Sequence, residues 1–298
     1  VAAALLVATP LFLVQASVFL PYVPTLLWLL LFAWAYLRAD RTDSHRWAAL
    51  AGLGVGVAFF ARPYTAVLFA APFLAHAGWT IWASGEPALR RQLVTAAVGL
   101  LGVGATLGYN ALLTGDPLLF PYEAFAPLDG PGFGYRELWG HGLEYTPALA
   151  LESARIALTA YVTEWSVAPP LGVGAAAVGL GLLARRGRAV DPRRLAIAGL
   201  VVAVPVGHLY FWGTLNAIGS LDNPGLGLLG HLGPYYHLAL VVPTAAFAAH
   251  ALVTGWDRVW PRVESIDRGR TLAAVAVAGL LLAALAGALA VGATASVL

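Results

Sequence analysis

Cysteine and methionine are absent from the 298-residue chain, and charged residues make up only 11% of it. The absence of cysteine excludes disulfide bonds, thiolate metal ligands and cysteine nucleophiles. With 60% hydrophobic residues and a mean hydropathy of +0.77, the chain has too few charges to cover a soluble protein of this size. The net charge of +2 is too small to indicate nucleic acid as a partner. The composition therefore predicts an integral membrane protein with membrane lipid around it.

The apolar runs predict an all-α fold, a polytopic transmembrane helical bundle of about nine segments that forms one integral-membrane domain over residues 1–298. A hairpin turn is expected near Arg62-Pro63, because a single helix over 47–83 would be far longer than the roughly 30 Å hydrocarbon core. The predicted segments run from the start to about Val14, and then over 23–37, 47–61, 63–83, 92–113, 166–184, 195–213, 234–253 and 271–293.

Lysine is also absent, so arginine supplies all of the strongly basic side chains. All of the arginines except Arg62, Arg136 and Arg155 fall into one set of alternate loops. The positive-inside rule places that set in the cytoplasm and the three exceptions on the other side. The distribution predicts a multi-pass protein of the cell membrane with its functional face extracytoplasmic.

Two extracytoplasmic loops, about 114–163 and 216–233, form the predicted loop layer. The first is rich in acidic residues, aromatic residues, glycine and proline, and connections of this length are usually functional or disordered. Its last third begins with Thr146-Pro147-Ala148, a typical helix start, and continues with apolar positions from Leu151 to Val162. We therefore expect a helix lying along the membrane surface there.

Arg62 is the only strong charge within a long apolar stretch, and the predicted topology places it at the outer membrane boundary. Charged residues in such positions are usually functional. A guanidinium can hold a lipid-linked phosphate through bidentate hydrogen bonds. The alternative is that Arg62 reaches from the hairpin to ordinary lipid head groups.

The first extracytoplasmic loop supplies candidates for substrate contact. Asp116 lies in Thr-Gly-Asp-Pro, which is also typical of a turn, so Asp116 either binds substrate or only bends the chain. His141 and Glu144 are either an acid/base or metal pair or solvated loop residues, since a third ligand is lacking. The aromatic residues of the loop suit sugar rings and equally an interfacial belt. The predicted substrate-loop residues are Asp116, Tyr122, Glu123, Tyr135, His141 and Glu144.

The second extracytoplasmic loop carries His231, Tyr235 and His237 at the mouth of a helix. These side chains could contact a phosphate or a sugar, or anchor the protein at the membrane boundary. With Arg62 they form the predicted donor-phosphate site. Within an earlier helix, Gly52-Leu53-Gly54-Val55-Gly56 is interpreted as close helix packing, because no strand precedes it as a dinucleotide fingerprint requires.

Several short motifs together resemble the GT-C glycosyltransferases, and among them the prokaryotic protein O-mannosyltransferase-like branch. The resemblance spans most of the chain, although each motif is short. The family often reads Gly-Pro-Arg-Tyr-Tyr where this chain has no arginine, which would move a phosphate contact to His231 or His237. The motifs are Pro21-Tyr22-Val23-Pro24, Gly52 to Arg62-Pro63, Tyr109-Asn110 with Thr114-Gly115-Asp116-Pro117, Gly132-Phe133-Gly134 to His141, and Gly233-Pro234-Tyr235-Tyr236.

The resemblance implies protein glycosylation chemistry, in which a sugar passes by inverting displacement from a polyprenyl-phosphate donor to a protein, lipid or glycan acceptor on the extracytoplasmic face. In this family the catalytic acid lies in the first outside loop. Because the chain opens at Val1 inside an apolar run without methionine, we expect the first helix, that loop and the catalytic aspartate to lie upstream of Val1. No metal ligands are assigned, and a divalent metal ion stays open as a cofactor.

Two other functions stay open. A transporter or flippase for a lipid or lipid-linked sugar would need ionisable residues deep within the spans, and His208 and His250 are the nearest cases. A non-catalytic relative that binds a lipid-linked sugar would explain the missing arginine. ATPase motors and zinc hydrolases lose support, because the sequence has neither a Walker A loop nor an H-E-x-x-H pattern.

Overall fold

The computed structural model describes residues 1–184 and 191–264, together with Val277. It is 78% helix and 5% strand, and its only sheet within the described residues is a two-stranded hairpin. The prediction of a helical protein is confirmed, whereas the hairpin was not predicted from the sequence.

The first half of the chain consists of helices joined by short connections. In order, they are α1 (Ala2–Val7), α2 (Pro10–Ser17), α3 (Tyr22–Thr42), α4 (His45–Ala61), α5 (Pro63–Ser84) and α6 (Glu86–Thr114).

The second half alternates long helices with shorter elements. These are α7 (Pro121–Phe125), strands β1 (Gly134–Leu138) and β2 (His141–Tyr145), α8 (Pro147–Ala160), a π-helical turn (Tyr161–Trp165), α9 (Leu171–Ala184), α10 (Pro192–His208), α11 (Gly213–Ile218), a 3-10 turn (Pro224–Leu226), α12 (Leu228–Leu232), a 3-10 turn (Tyr235–Leu240) and α13 (Val241–Glu264).

Four helical stretches in the described part of the chain are long and apolar enough to cross a membrane. Three are α3, α5 and α6, and the fourth is the stretch Leu228–Pro261, most of which is α13. Helices α4 and α9 are apolar but shorter. The predicted segment 271–293 lies outside the described residues except for Val277.

The predicted hairpin at Arg62 is present. Helix α4 ends at Ala61 and α5 begins at Pro63, with Arg62 in an extended conformation between them. Proline disfavours helical geometry in the residue before it and is itself well suited to the first helical position. The two helices are therefore separate elements, and Arg62 lies at their junction.

The first predicted segment is divided in the structure. Helix α1 ends at Val7, and α2 begins at Pro10 with Thr9 as its N-cap. Proline has no N–H to continue the hydrogen bonding of α1, and its ring clashes with the preceding turn. The segment predicted at 166–184 likewise begins later, since α9 starts at Leu171.

The predicted close packing of the glycine-rich helix is confirmed. A Cβ atom on Gly52 would lie 2.5 Å from the backbone oxygen of Thr95 in α6, and one on Gly56 would lie 3.1 Å from that of Gly99. A Cβ on Gly102 would collide with the backbone of Gly56. Glycine therefore lets the backbones of α4 and α6 approach each other, as small residues do between membrane helices.

The largest buried cluster holds α3 against α5 and α10. Phe32 of α3 lies edge to face with Phe73 of α5 at 5.1 Å between ring centroids, and Phe69 stacks on Phe73 at 5.8 Å. This apolar middle separates two polar regions at the ends of α3. At about 1.5 Å per residue, Tyr22 and Asp40 lie roughly 27 Å apart along the helix, close to the thickness of a hydrocarbon core.

The long loop after α6 has its own secondary structure, which begins with α7 and the hairpin. The helix expected from Thr146 onward is α8, where the Thr146 side chain accepts a hydrogen bond from the Leu149 N–H at 3.3 Å. Its buried face carries Ala150, Ser153 and Ile156. Leu151, which belonged to the predicted apolar pattern, is exposed instead.

Candidate functional site

Arg62 and an aromatic side chain of α3 form the centre of the candidate site. The guanidinium carbon of Arg62 lies 3.8 Å from the centroid of the Tyr22 ring, which is cation–π geometry. The Arg62 Nε donates a hydrogen bond to Thr65 Oγ1 at 3.3 Å. Since Arg62 caps the junction of α4 and α5 while Tyr22 begins α3, three helices meet at this contact.

Three tyrosines, Tyr22, Tyr235 and Tyr236, form what we call the tyrosine cluster. The Tyr22 ring lies edge to face with Tyr235 at 5.1 Å and with Tyr236 at 6.1 Å, and the rings of Tyr235 and Tyr236 are 4.5 Å apart. The Gly233-Pro234 turn before Tyr235 brings the loop over 216–233 to the start of α3. The structure therefore joins Arg62 and Tyr235, two of the predicted donor-phosphate residues, through Tyr22.

The charge of Arg62 is not balanced by a nearby carboxylate. Across residues 1–184 and 191–264, the ion pairs involve other arginines, namely Arg90, Arg91, Arg155 and Arg193. Arg62 is half-buried, so its contact with solvent is limited. A partly desolvated guanidinium that is held only by a ring face and a hydroxyl keeps donors for an anionic oxygen.

The tyrosine cluster is closed in this structure. The space that it shares with Leu26 and Thr65 amounts to about 10 Å³, roughly the room that one water needs. A sugar does not fit between the rings without a movement of the tyrosines.

Asp129 is a buried carboxylate in the long loop after α6, and only 7% of the residue is exposed. Its Oδ1 accepts a hydrogen bond from the Trp212 indole N–H at 2.5 Å, and its Oδ2 accepts one from the Tyr122 hydroxyl. Burial raises the pKa of Asp129, while the two hydrogen bonds oppose that shift. Burial and the bond to Asp129 also raise the pKa of Tyr122.

The buried position of Asp129 could not be derived from the sequence. Sequence reasoning counted Asp129 only as one of several loop acids. Nothing in the local sequence separates it from them, because its burial depends on Trp212, which is 83 positions away along the chain.

Two of the predicted donor-phosphate residues lie elsewhere. His237 is only 1% exposed, and its ring packs 4.9 Å from that of His208 in α10. Among the described residues, neither ring nitrogen of His237 has a hydrogen-bond partner. His231 is exposed in α12, with Nδ1 3.1 Å from the carbonyl oxygen of Gly227. The structure thus places Tyr235 beside the Arg62 contact, His237 inside the helices and His231 on a loop surface.

Two of the substrate-loop candidates, Asp116 and Glu123, organise the backbone around them. The exposed Asp116 accepts a hydrogen bond on Oδ1 from the Leu118 N–H at 2.8 Å, which is an Asx turn. The carboxylate of Glu123 accepts one from the Phe120 N–H at 3.4 Å and so caps α7. These contacts match the turn interpretation of Asp116.

The remaining substrate-loop candidates belong to the β-hairpin. The Tyr135 hydroxyl donates to Glu137 at 2.8 Å, and Tyr135 faces Glu144 across the two strands. His141 and Glu144 are both exposed, but they are three positions apart on β2, so their side chains point to opposite faces. They do not form an acid/base pair here. No group of three histidine, aspartate or glutamate side chains suited to a metal ion occurs in the described residues.

The glycine-rich stretch before the hairpin serves the packing of the loop itself. The Gly132 N–H donates to the Tyr210 carbonyl oxygen at 2.7 Å, and the Arg136 side chain donates to the Gly132 oxygen at 3.1 Å. The Phe133 ring stacks on Tyr145 at 5.7 Å. These contacts tie the long loop after α6 to the connection after α10, close to Trp212.

The site therefore consists of an arginine without a counter-ion at a helix junction, a closed tyrosine cluster beside it, and a loop layer fastened over them through Asp129. Such an arrangement can hold an anionic group at the end of membrane-length helices. In comparisons with known proteins, no protein-family model, no curated protein and no solved structure matched this chain.

Proposed function

We propose that this protein is an integral-membrane glycosyltransferase that moves a sugar from a polyprenyl-phosphate donor to an acceptor on the extracytoplasmic face. The observation that carries the proposal is the half-buried Arg62, which lies at the junction of two apolar helices against Tyr22 and pairs with no carboxylate in the described part of the chain. In the proposal, the donor phosphate takes the place of that missing counter-ion.

The membrane setting supports this choice of ligand. A polyprenyl phosphate keeps its chain in the bilayer, so its phosphate must meet the protein at the level of the head groups. Arg62 lies at one end of α4 and α5, and Tyr22 at the same end of α3, which is long and apolar enough to cross a membrane. The proposal includes the nine-segment topology, with the arginine-rich loops in the cytoplasm and Arg62 outside.

Each part of the site has a role in the proposal. Arg62 binds the phosphate by charge-assisted hydrogen bonds, and the tyrosine cluster moves aside to admit the sugar. Because both oxygens of Asp129 accept hydrogen bonds, we assign Asp129 to positioning the loop layer and not to proton transfer. The acceptor meets the sugar beneath that loop layer.

The test uses the full-length protein reconstituted with radiolabelled polyprenyl-phosphate mannose and a mixture of peptide, lipid and glycan acceptors. Arg62→Ala should lower the transfer rate about 100-fold or more, because a preorganised charged contact to the reacting phosphate is lost. Arg62→Lys should recover only part of the rate, since an ammonium does not reproduce bidentate geometry.

Arg155→Ala is the matched control, because Arg155 is an exposed arginine of α8 that pairs with Glu152. Its transfer rate should equal that of the wild type. An unchanged rate in Arg62→Ala would remove Arg62 from the site. Transfer that fails with polyprenyl-phosphate mannose, glucose and galactosamine donors alike would contradict the proposed activity.

Movement of a lipid-linked sugar across the membrane is the second candidate. The His208–His237 pair favours it, because buried ionisable residues between membrane helices often belong to transport paths. Vesicles that hold a fluorescent polyprenyl-phosphate sugar separate the two functions. Translocation that is lost in His237→Phe but kept in Arg62→Ala would favour transport over transfer.

A further inference from the structure

A second polar region lies at the other end of α3, away from Arg62. It contains a cavity of about 390 Å³, within the size range of small-molecule sites. The cavity is bounded by the end of α3, the end of α5, the start of α6 and the start of α10. None of its lining residues belongs to the site proposed above.

The wall of the cavity is an ion-pair network. Arg91 donates to Asp40 at 2.8 Å and to Asp43 at 2.5 Å, and the Arg193 Nε donates to Asp40 at 2.6 Å. The side chains of Arg91 and Asp40 are each only 7% exposed. Both carboxylate oxygens of Asp40 accept hydrogen bonds, so Asp40 holds the two arginines in place.

Charges of both signs remain available around the cavity. Asp43 uses only Oδ1 in the network, and Asp191 uses Oδ1 to accept the Arg193 backbone N–H at 3.0 Å. Among the described residues, the second oxygen of each has no hydrogen-bond partner, and neither do the terminal nitrogens of Arg193. Two free carboxylate oxygens and a free guanidinium edge thus border one space.

A buried histidine adds a polar group to the same wall. His76 is 5% exposed, and its Nδ1 lies 2.9 Å from the Tyr36 hydroxyl. The other ring nitrogen, Nε2, has no partner within the described part of the chain. Because His76 lines the cavity, this nitrogen is available to a polar atom of a bound ligand.

The surroundings indicate that the occupant comes from the membrane. Trp79 lines the cavity, and its ring lies 5.1 Å from that of Trp82. Both indoles are more than half exposed. Tryptophans of this kind are typical of the membrane–water interface, and here they flank the end of a membrane-length helix.

We propose that this cavity binds the head group of a phospholipid that carries a primary ammonium and a phosphodiester, the chemistry of phosphatidylethanolamine. The ammonium donates to the free oxygens of Asp43 and Asp191, and the phosphodiester accepts from Arg193. A trimethylammonium has no N–H to donate, and a glycerol head group has no positive charge. The cavity should therefore select phosphatidylethanolamine over phosphatidylcholine and phosphatidylglycerol. This inference does not depend on the proposed transferase activity.

The test measures which lipid the full-length protein retains. The protein is purified in mild detergent with equal amounts of phosphatidylethanolamine, phosphatidylcholine and phosphatidylglycerol, and the bound lipid is quantified per protein by mass spectrometry. The wild type should retain the ethanolamine lipid about tenfold over the other two, the ratio expected for one charged hydrogen-bonded contact. Equal retention of the three lipids would overturn the proposal without any variant.

Two pairs of variants locate the binding. Asp43→Asn and Arg193→Gln should each abolish the preference, whereas the exposed Asp257→Asn and Arg194→Gln should keep it. A preference that survives both cavity variants, with wild-type circular dichroism, would place the lipid elsewhere. A last measurement uses soluble glycerophosphoethanolamine, which has the same head group without the acyl chains. If it bound as tightly as the lipid, the proposal that the ligand comes from the membrane would be contradicted.

Discussion

The charged side chains at the two ends of α3 differ in how they are paired. At one end, Arg62 lies on the face of Tyr22 with no carboxylate partner among the described residues, and the buried Asp129 of the long loop after α6 accepts hydrogen bonds only from neutral donors. At the other end, Arg91 and Arg193 converge on Asp40 and Asp43 in a network of ion pairs that uses both oxygens of Asp40. Paired charges hold helices together, whereas an arginine without a carboxylate partner keeps hydrogen-bond donors for a ligand.

The largest loss of stability is expected when the ion-pair network around Asp40 is broken. Arg91→Ala should destabilise the protein by about 3 kcal/mol, because it leaves a buried carboxylate with one partner fewer. Chemical unfolding in mixed micelles measures this change. Arg90→Ala is the control, since Arg90 and its partner Glu86 are both exposed, and it should leave stability nearly unchanged. Equal effects of the two substitutions would contradict the structural importance of the network.

A substitution between the two ends tests whether packing there matters independently of charge. Gly102→Ala should cost about 1–3 kcal/mol, because its Cβ meets the backbone of Gly56. Gly104→Ala is the control in the same helix, where a Cβ meets open space, and it should be neutral or stabilising by about 0.5 kcal/mol. The same unfolding measurement applies. If Gly102→Ala were as stable as Gly104→Ala, α4 and α6 would not approach as described.

The loop above the Arg62 end should respond to pH through Asp129. The pKa of Asp129 is raised in the folded state. At a pH between the unfolded and the folded pKa, the folded protein therefore holds a proton that the unfolded chain has lost. Stability should be highest below the unfolded pKa of about 4 and should fall as the pH rises through the raised pKa. Asp129→Asn should remove this fall, as measured by thermal unfolding from pH 4 to 7. Asp116→Asn, at an exposed turn, should keep the wild-type profile.

The smallest stability effect is expected at Arg62 itself. Arg62→Ala should change the free energy of unfolding by less than about 1 kcal/mol, because a cation–π contact and one long hydrogen bond are weak. This change in the free energy of unfolding is smaller than the loss of about 3 kcal/mol expected for Arg91→Ala at the other end of α3. A loss at Arg62 as large as that at Arg91 would mean that Arg62 serves mainly to hold the fold.

Much of the helical layout could be predicted from local sequence. The break between Ala61 and Pro63, the start of α8 at Thr146 and the glycine packing of α4 all follow from short-range chemistry that the residues themselves carry. Proline geometry, a capping hydroxyl and the absence of a side chain act within a few residues, so the neighbouring residues in the sequence are enough to predict these features.

The candidate site was predictable only in part. Arg62 stands out as a charge in an apolar run, but its contact with Tyr22 requires that α3 pack beside the helix junction. His237 looked available at a loop end, yet packing against His208 buries it. For a residue near the start of a helix, the sequence does not indicate whether the side chain points into the helical bundle or away from it.

What the sequence by itself determined is the helical, apolar class of the protein and some helix boundaries, such as the break at Arg62-Pro63, because apolar length and proline geometry are local properties. Only the tertiary structure decided which polar groups meet. Asp129 joins Trp212 across 83 positions, and Arg193 joins Asp40 across 153. Such pairings depend on how helices pack side by side, and no short stretch of the chain contains both partners.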